Sequence, residues 1–134
     1  MAKVEGIGGI FIKSNDVMAL AAWYREKLGV ETEAMPDGGS VFTVFFTRDF
    51  LTSRVRGNPV FAIEPAKETL PKGLDLFTFN LRVDDLDDFL AEIKTRGVEP
   101  EGEMLVWERG KHSWIRDLDG NRIELYEELF VDEE

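Results

Sequence analysis

The chain has 134 residues, 43% of them hydrophobic, and carries a net charge of −11. That is enough apolar material for one folded domain, or for two small ones sharing a core. The acidity leaves no basic stripe of the kind that displaces counterions from DNA or RNA, so nucleic acid is excluded as an expected partner. There is no cysteine, and with it go disulfides, iron–sulfur clusters, thiolate zinc sites and a Cys nucleophile. No apolar run approaches the roughly 20 residues a membrane span needs, and the opening MAKVEGIGG lacks a secretory pattern. A cytoplasmic protein with no membrane partner is expected.

The first expected element is a strand, GIGGIFIK (Gly6–Lys13), in which Ile10 and Ile12 alternate with Phe11 and Lys13. SND then offers helix N-caps, and VMALAAWYREKLG places Val17, Leu20, Ala21, Tyr24 and Leu28 on one helical face, closed by Gly29. PDGG signals a turn before a strand, SVFTVFF. Residues 48–58 are expected as a polar loop with apolar anchors, and PVFAIE as a short strand. AKETLPKG (Ala66–Gly73) is expected as a linker.

Beyond the linker the order repeats. LFTFNLRV alternates as a strand with Phe77, Phe79, Leu81 and Val83 expected to be buried. DDLDDFLAEIKTRG is a helix turning Leu86, Phe89, Leu90 and Ile93 inward and ending at Gly97. EMLVWERGKHSWIR reads as two strands about a Gly-Lys turn, and NRIELYEE as the last strand. Asp16 follows Lys13 by three residues and Asp85 follows Arg82 by three, each aspartate opening a helix that ends at glycine. The spacing predicts an α+β fold of two tandem βαβββ modules, 1–65 and 74–134, joined by 66–73. Neither copy could bury its helix and sheet alone, so the two are expected to share one core.

Three motifs, in order, give this pattern a family likeness: WYREKLG, LRVDDLDDFLAEIKTRGVE and the closing DLDGNRIELYE. The chain resembles the glyoxalase/bleomycin resistance/dioxygenase (vicinal oxygen chelate) superfamily from about Gly6 to Glu128. Leu118 occupies the usual proline position of the last motif. The resemblance implies a curled mixed sheet with a central ligand cup and helices outside. In metal-dependent members it implies a divalent ion held from the first strand of each module and by a glutamate of the last strand. That glutamate matches Glu124.

The remaining metal positions carry over as Gly9 and Thr78, seven residues before Asp16 and Asp85. Glycine has no donor, and a threonine hydroxyl is a poor transition-metal ligand. A shift by one residue reaches Gly8, Ile10, Phe77 or Phe79, none of which ligates. His112 is the chain's one histidine, so a 2-His-1-carboxylate iron triad or a His₂Glu zinc site cannot be built within one chain. No cofactor is expected. An all-carboxylate Mg²⁺ or Mn²⁺ site stays open, with nothing demanding it.

Alternation about an inward Glu124 predicts a lining of Gly9, Phe11, Lys13, Thr78, Asn80, Arg82 and Tyr126, with glycine at position 9 leaving open the volume of an imidazole. His112 and Trp114 join these as expected ligand contacts, on a strand whose facing the pattern leaves open. Trp107 is the other tryptophan able to stack on a ligand. Glu124 is the candidate catalytic group, either a general base or a carboxylate satisfied by Lys13, Arg82 or water. The expected function is metal-independent binding of a small organic molecule, cationic or aromatic, by a homodimer. The alternative is a glyoxalase-type lyase or isomerase with Glu124 as base, any metal being held by carboxylates or across a dimer.

Overall fold

The structure is a computed structural model and describes residues 6–73 and 77–129. Leu76, expected to start a strand, lies outside them. Two compact units are present: Met1–Ala22 with Val30–Leu70, and Trp23–Gly29 with Pro71–Glu134.

In the first unit, β1 (Gly9–Ser14) leads into α1 (Val17–Trp23), followed by β2 (Glu33–Ala34), β3 (Val41–Arg48) and β4 (Val55–Pro65). The sheet order is β1-β4-β3-β2, with β1 parallel to β4 and the other pairs antiparallel. Asp16 caps α1, its carboxylate accepting from the Ala19 amide at 3.0 Å. Val17, Leu20 and Ala21 are buried as the helical spacing predicts, and Ile12, Phe61, Ala62 and Ile63 are buried with them. β4 begins at Val55, inside the stretch expected to be loop. The ladder between β3 and β4 accounts for this, since it resumes beyond a bulge at Val44/Phe46 and carries through to Arg48 opposite Val55.

The second unit repeats the plan: β5 (Phe79–Arg82), α2 (Leu86–Thr95), β6 (Glu101–Trp107), β7 (Gly110–Arg116) and β8 (Arg122–Glu128), in the order β5-β8-β7-β6. Asp85 caps α2 through the Asp88 amide at 3.0 Å, and Glu127 takes the Leu86 amide at 2.8 Å. Leu86, Ile93, Ile115, Ile123 and Leu125 are wholly buried. Two tandem βαβββ modules are therefore present. Phe77 departs from expectation: it precedes β5 and is 55% exposed. The turn between β6 and β7 also differs, lying at Glu108–Arg109, with Gly110 and Lys111 already in β7.

The first helical segment does not end as a regular α-helix. It widens into a π-helical turn, Tyr24–Leu28, closed by Gly29 at φ 72°, a left-handed conformation in which a Cβ is strained. This turn belongs to the second unit. Tyr24 is fully buried there and donates from its hydroxyl to Asp117 at 2.8 Å. Asp117 also accepts from the amides of Asp119 and Asn121 and from the Asn121 side chain, which pins the turn before β8. Burial raises the Tyr24 phenol well above its ordinary range, and the nearby Asp117 charge adds to this. Burial likewise raises Asp117, against the donors supplied by Asn121 and Tyr24. Gly120, at φ 83°, completes that turn, and a Cβ there would stand 2.7 Å from the Gly73 nitrogen. Among the described residues no helix is long and apolar enough to cross a membrane.

Candidate functional site

In the second unit the strand register brings the expected site residues together. Asn80 lies opposite Glu124 across β5 and β8; Trp114 lies opposite Glu124, and His112 opposite Tyr126, across β7 and β8. Directly paired residues share a face, so His112 and Trp114 stand on the Glu124 side, the point the sequence pattern left open. Leu105 pairs with His112 and Trp107 with Gly110, which extends that face to β6.

A hydrogen-bonded chain runs across these strands. The Trp107 indole N–H donates to His112 Nε2 at 2.7 Å. An indole nitrogen can only donate, so Nε2 is the lone-pair nitrogen and the imidazole proton sits on Nδ1. Nδ1 lies 2.6 Å from Glu124 Oε1 and donates to it, while Asn80 Nδ2 donates to Oε2 at 3.1 Å. Both carboxylate oxygens are thus engaged, each keeping acceptor capacity. His112 and Asn80, rather than Lys13 or Arg82, satisfy Glu124. Lys13 pairs with Glu64 at 2.6 Å in the first unit.

Rings surround the carboxylate. The His112 ring stacks at centroid distances of 4.9 Å on Tyr126, 6.2 Å on Trp107 and 6.4 Å on Trp114. The Arg122 guanidinium lies 5.2 Å from the Trp114 ring centre. Glu124 and His112 are partly exposed, so the assembly is open to solvent. Gly110 makes the stack possible. A Cβ there would fall 2.5 Å from Tyr126 Cε2 and 3.2 Å from His112 Nε2. Neither Gly110 nor the Trp107 bond to His112 was visible as a site feature in the sequence, because both depend on the β6–β7 register.

The other expected residues are placed differently. Thr78 lies one residue before β5 and, like Asn80 and Arg82, is exposed; Arg82 pairs in register with Tyr126. Gly9, Phe11 and Lys13 alternate along β1 as expected, but in the first unit. The open volume expected beside Gly9 is not there: a Cβ would meet the Val60 carbonyl oxygen at 2.8 Å and the Phe11 ring at 3.0 Å. The Phe11 ring has folded back over the glycine.

The internal repeat adds one more comparison. Phe11 pairs with Ala62 as Asn80 pairs with Glu124, so the first module carries a methyl group where the second carries its carboxylate. The donor set does not suit a divalent ion. Among the described residues no three His, Asp or Glu side chains cluster to hold one. The two groups nearest to doing so, His112 and Glu124, are bonded to each other, and the imidazole's lone pair is taken by Trp107.

A family model described as Glyoxalase/Bleomycin resistance protein/Dioxygenase superfamily matches residues 6–125. No curated protein sequence matches the chain. Among solved structures, the chain is similar to a glyoxalase family protein from Bacillus anthracis, with 19% identity, 96% of this chain and 99% of that one covered, and a TM-score of 0.72. A lactoylglutathione lyase from Agrobacterium tumefaciens shares 19% identity over 94% of this chain and 96% of its own, at a TM-score of 0.65. A glyoxylase/bleomycin resistance protein/dioxygenase domain from Frankia sp. shares 14% identity, with 95% and 100% covered and a TM-score of 0.63. At these identities the likeness is one of fold.

Proposed function

Because the chain belongs to the Glyoxalase/Bleomycin resistance protein/Dioxygenase superfamily, we propose that it binds a small organic molecule, without a catalytic metal, on the Glu124 face of its second module. The observation that carries this reading is the chain of bonds from Trp107 through His112 to Glu124, with Asn80 on the other oxygen. The carboxylate is oriented by neutral donors, so its negative charge remains for a ligand. Trp107, Trp114 and Tyr126 supply ring faces beside it. An anion among aromatic rings suits a planar cation that can donate two hydrogen bonds. The protein acts as a sequestering module in the cytoplasm, and as a homodimer.

Benzamidine and its neutral isostere benzamide test the proposal. Benzamidine is expected to raise the melting temperature and change tryptophan emission, and benzamide to do neither. Glu124→Gln is expected to weaken benzamidine binding at least tenfold, and Trp107→Phe by less, through loss of the imidazole's anchor. Equal response to both compounds would overturn the proposal. So would a stoichiometric divalent metal in the purified protein that Glu124→Ala removes.

One observation favours a second reading. A histidine Nδ1 2.6 Å from a glutamate oxygen is a pair able to pass a proton. In a lyase or isomerase of glyoxalase type Glu124 would be the base and His112 its positioning partner. Turnover of lactoylglutathione that Glu124→Gln abolishes would establish this reading in place of sequestration.

A further inference from the structure

Between Asp37 and Glu64 the chain carries a single acidic residue, Asp49, against three arginines, Arg48, Arg54 and Arg56. On a chain of net charge −11 this is a segregated basic stretch. Strand pairing gathers it at the far end of the β3–β4 hairpin, where Thr47 pairs with Arg56 and Arg48 with Val55. All of these residues belong to the first unit.

The turn beyond those pairs satisfies its polar groups internally. The Asp49 amide donates to the Arg54 carbonyl at 2.8 Å, and the Ser53 amide to the Asp49 carbonyl at 2.9 Å. The Asp49 carboxylate accepts the Leu51 and Thr52 amides, both at 2.9 Å, and lies 3.2 Å from the Arg56 guanidinium. The Arg48 guanidinium donates to the Ser53 carbonyl at 2.7 Å. These bonds hold Phe50 and Leu51 at the apex, 95% and 82% exposed. Turns favour small and polar residues, so two large apolar side chains held out at an apex are the unusual feature.

We infer that this apex docks on an anionic lipid surface, Phe50 and Leu51 entering between the headgroups while Arg48 and Arg54 meet the lipid phosphates. The order of the chemistry supports a bilayer. Apolar groups stand outermost and exposed cations lie within three residues behind them, which matches a surface whose charge sits above its hydrocarbon. Asp49 is balanced by Arg56 and sets no net charge against the phosphates. The next acid along β4, Glu64, is eight residues beyond Arg56. That is about 26 Å along a strand, well past the screening length of about 8–10 Å in physiological salt. The turn's own bonds fix the apex beforehand, so docking has little chain to order. A peripheral contact of this kind needs neither a spanning helix nor a long apolar run, the feature on which the expectation of no membrane partner rests. It uses no part of the ligand reading.

Cosedimentation with vesicles tests the inference, comparing phosphatidylcholine alone with two parts phosphatidylcholine to one of phosphatidylserine. The protein is expected to sediment with the mixed vesicles, to be released as salt rises, and to ignore phosphatidylcholine alone. Phe50→Ser/Leu51→Ser and Arg48→Gln/Arg54→Gln are each expected to weaken binding by about tenfold or more. Arg48→Lys/Arg54→Lys keeps the charge and is expected to keep the binding, which separates loss of charge from loss of the Arg48 bond within the turn. All of these positions are exposed, and circular dichroism checks that the variants fold. Failure of the wild type to sediment with the mixed vesicles, equal sedimentation with both compositions, or serine variants that bind as the wild type does would each overturn the inference. Self-association in lipid-free buffer that Phe50→Ser/Leu51→Ser abolishes would also overturn it, by giving the apex to another protein surface.

Discussion

Gly110 shows how a residue with no side chain can shape a site. The Tyr126 ring occupies the space its Cβ would need, at 2.5 Å, and the same ring stacks on His112. Gly110→Ala is expected to push Tyr126 off the imidazole and to destabilise the fold by about 1–3 kcal/mol, the usual cost of overpacking. Benzamidine binding should fall in parallel; calorimetry of unfolding and of binding reads both. The buried Tyr24–Asp117 pair makes a different demand. Tyr24→Phe removes one donor from a buried carboxylate and should cost about 1–3 kcal/mol by urea unfolding. Because burial raises Asp117 above its ordinary 3.8, the folded state binds its proton more tightly than the unfolded chain does. Its contribution to stability is complete below 3.8 and is lost as pH rises through the folded-state value. Relative to Asp117→Asn, the wild type is therefore expected to lose stability with rising pH in the window that opens at 3.8, measured by denaturant midpoints across that range.

At the scale of elements, each helix is started by one aspartate, and α2 is started with help from a neighbouring strand as well. Asp85 accepts the Asp88 amide, and Glu127 reaches across from β8 to the Leu86 amide, so two of the free donors at the start of α2 are met. Asp85→Ala is expected to cost about 0.5–2 kcal/mol, seen as a lower melting temperature, while leaving the Glu124 face able to bind. The β6–β7 hairpin has the opposite character, since the site depends on its register. Its turn lies at Glu108–Arg109, two residues earlier than the Gly-Lys pair suggests, and this pairs Trp107 with Gly110 and Leu105 with His112. A slip of one residue would carry Trp107 and His112 to opposite faces.

Across the whole molecule, the parts readable from sequence were those governed by local periodicity. The duplicated βαβββ order, the two capping aspartates, the buried stripe of α1 and the alternation around Glu124 all follow from spacing and side-chain type, and all are present. The facing of Glu124, opposite to buried Ile123 and Leu125, was legible because a charged residue stood midway along an alternating strand. Its partners were not, because choosing His112 and Asn80 over Lys13 and Arg82 requires knowing which strands are neighbours and in what register. The fold-back of Phe11 over Gly9 is a choice of side-chain rotamer, and the widening at Tyr24–Leu28 a change of helical pitch; neither has a signature in residue order. The repeat is also uneven in a way only pairing reveals, with Ala62 standing where its counterpart strand has Glu124.

The segment Trp23–Gly29 carries a consequence for how such a chain can be divided. It is continuous with the first module, yet its tyrosine lies buried in the second unit against Asp117, and Lys27 and Arg96 exchange bonds to one another's carbonyls there. A gene fragment cut at the linker would encode a latter half deprived of that phenol, its aspartate stranded in apolar surroundings. The two modules share one plan, yet this short stretch of the first completes the second, and a shuffled or permuted chain would have to keep the loan.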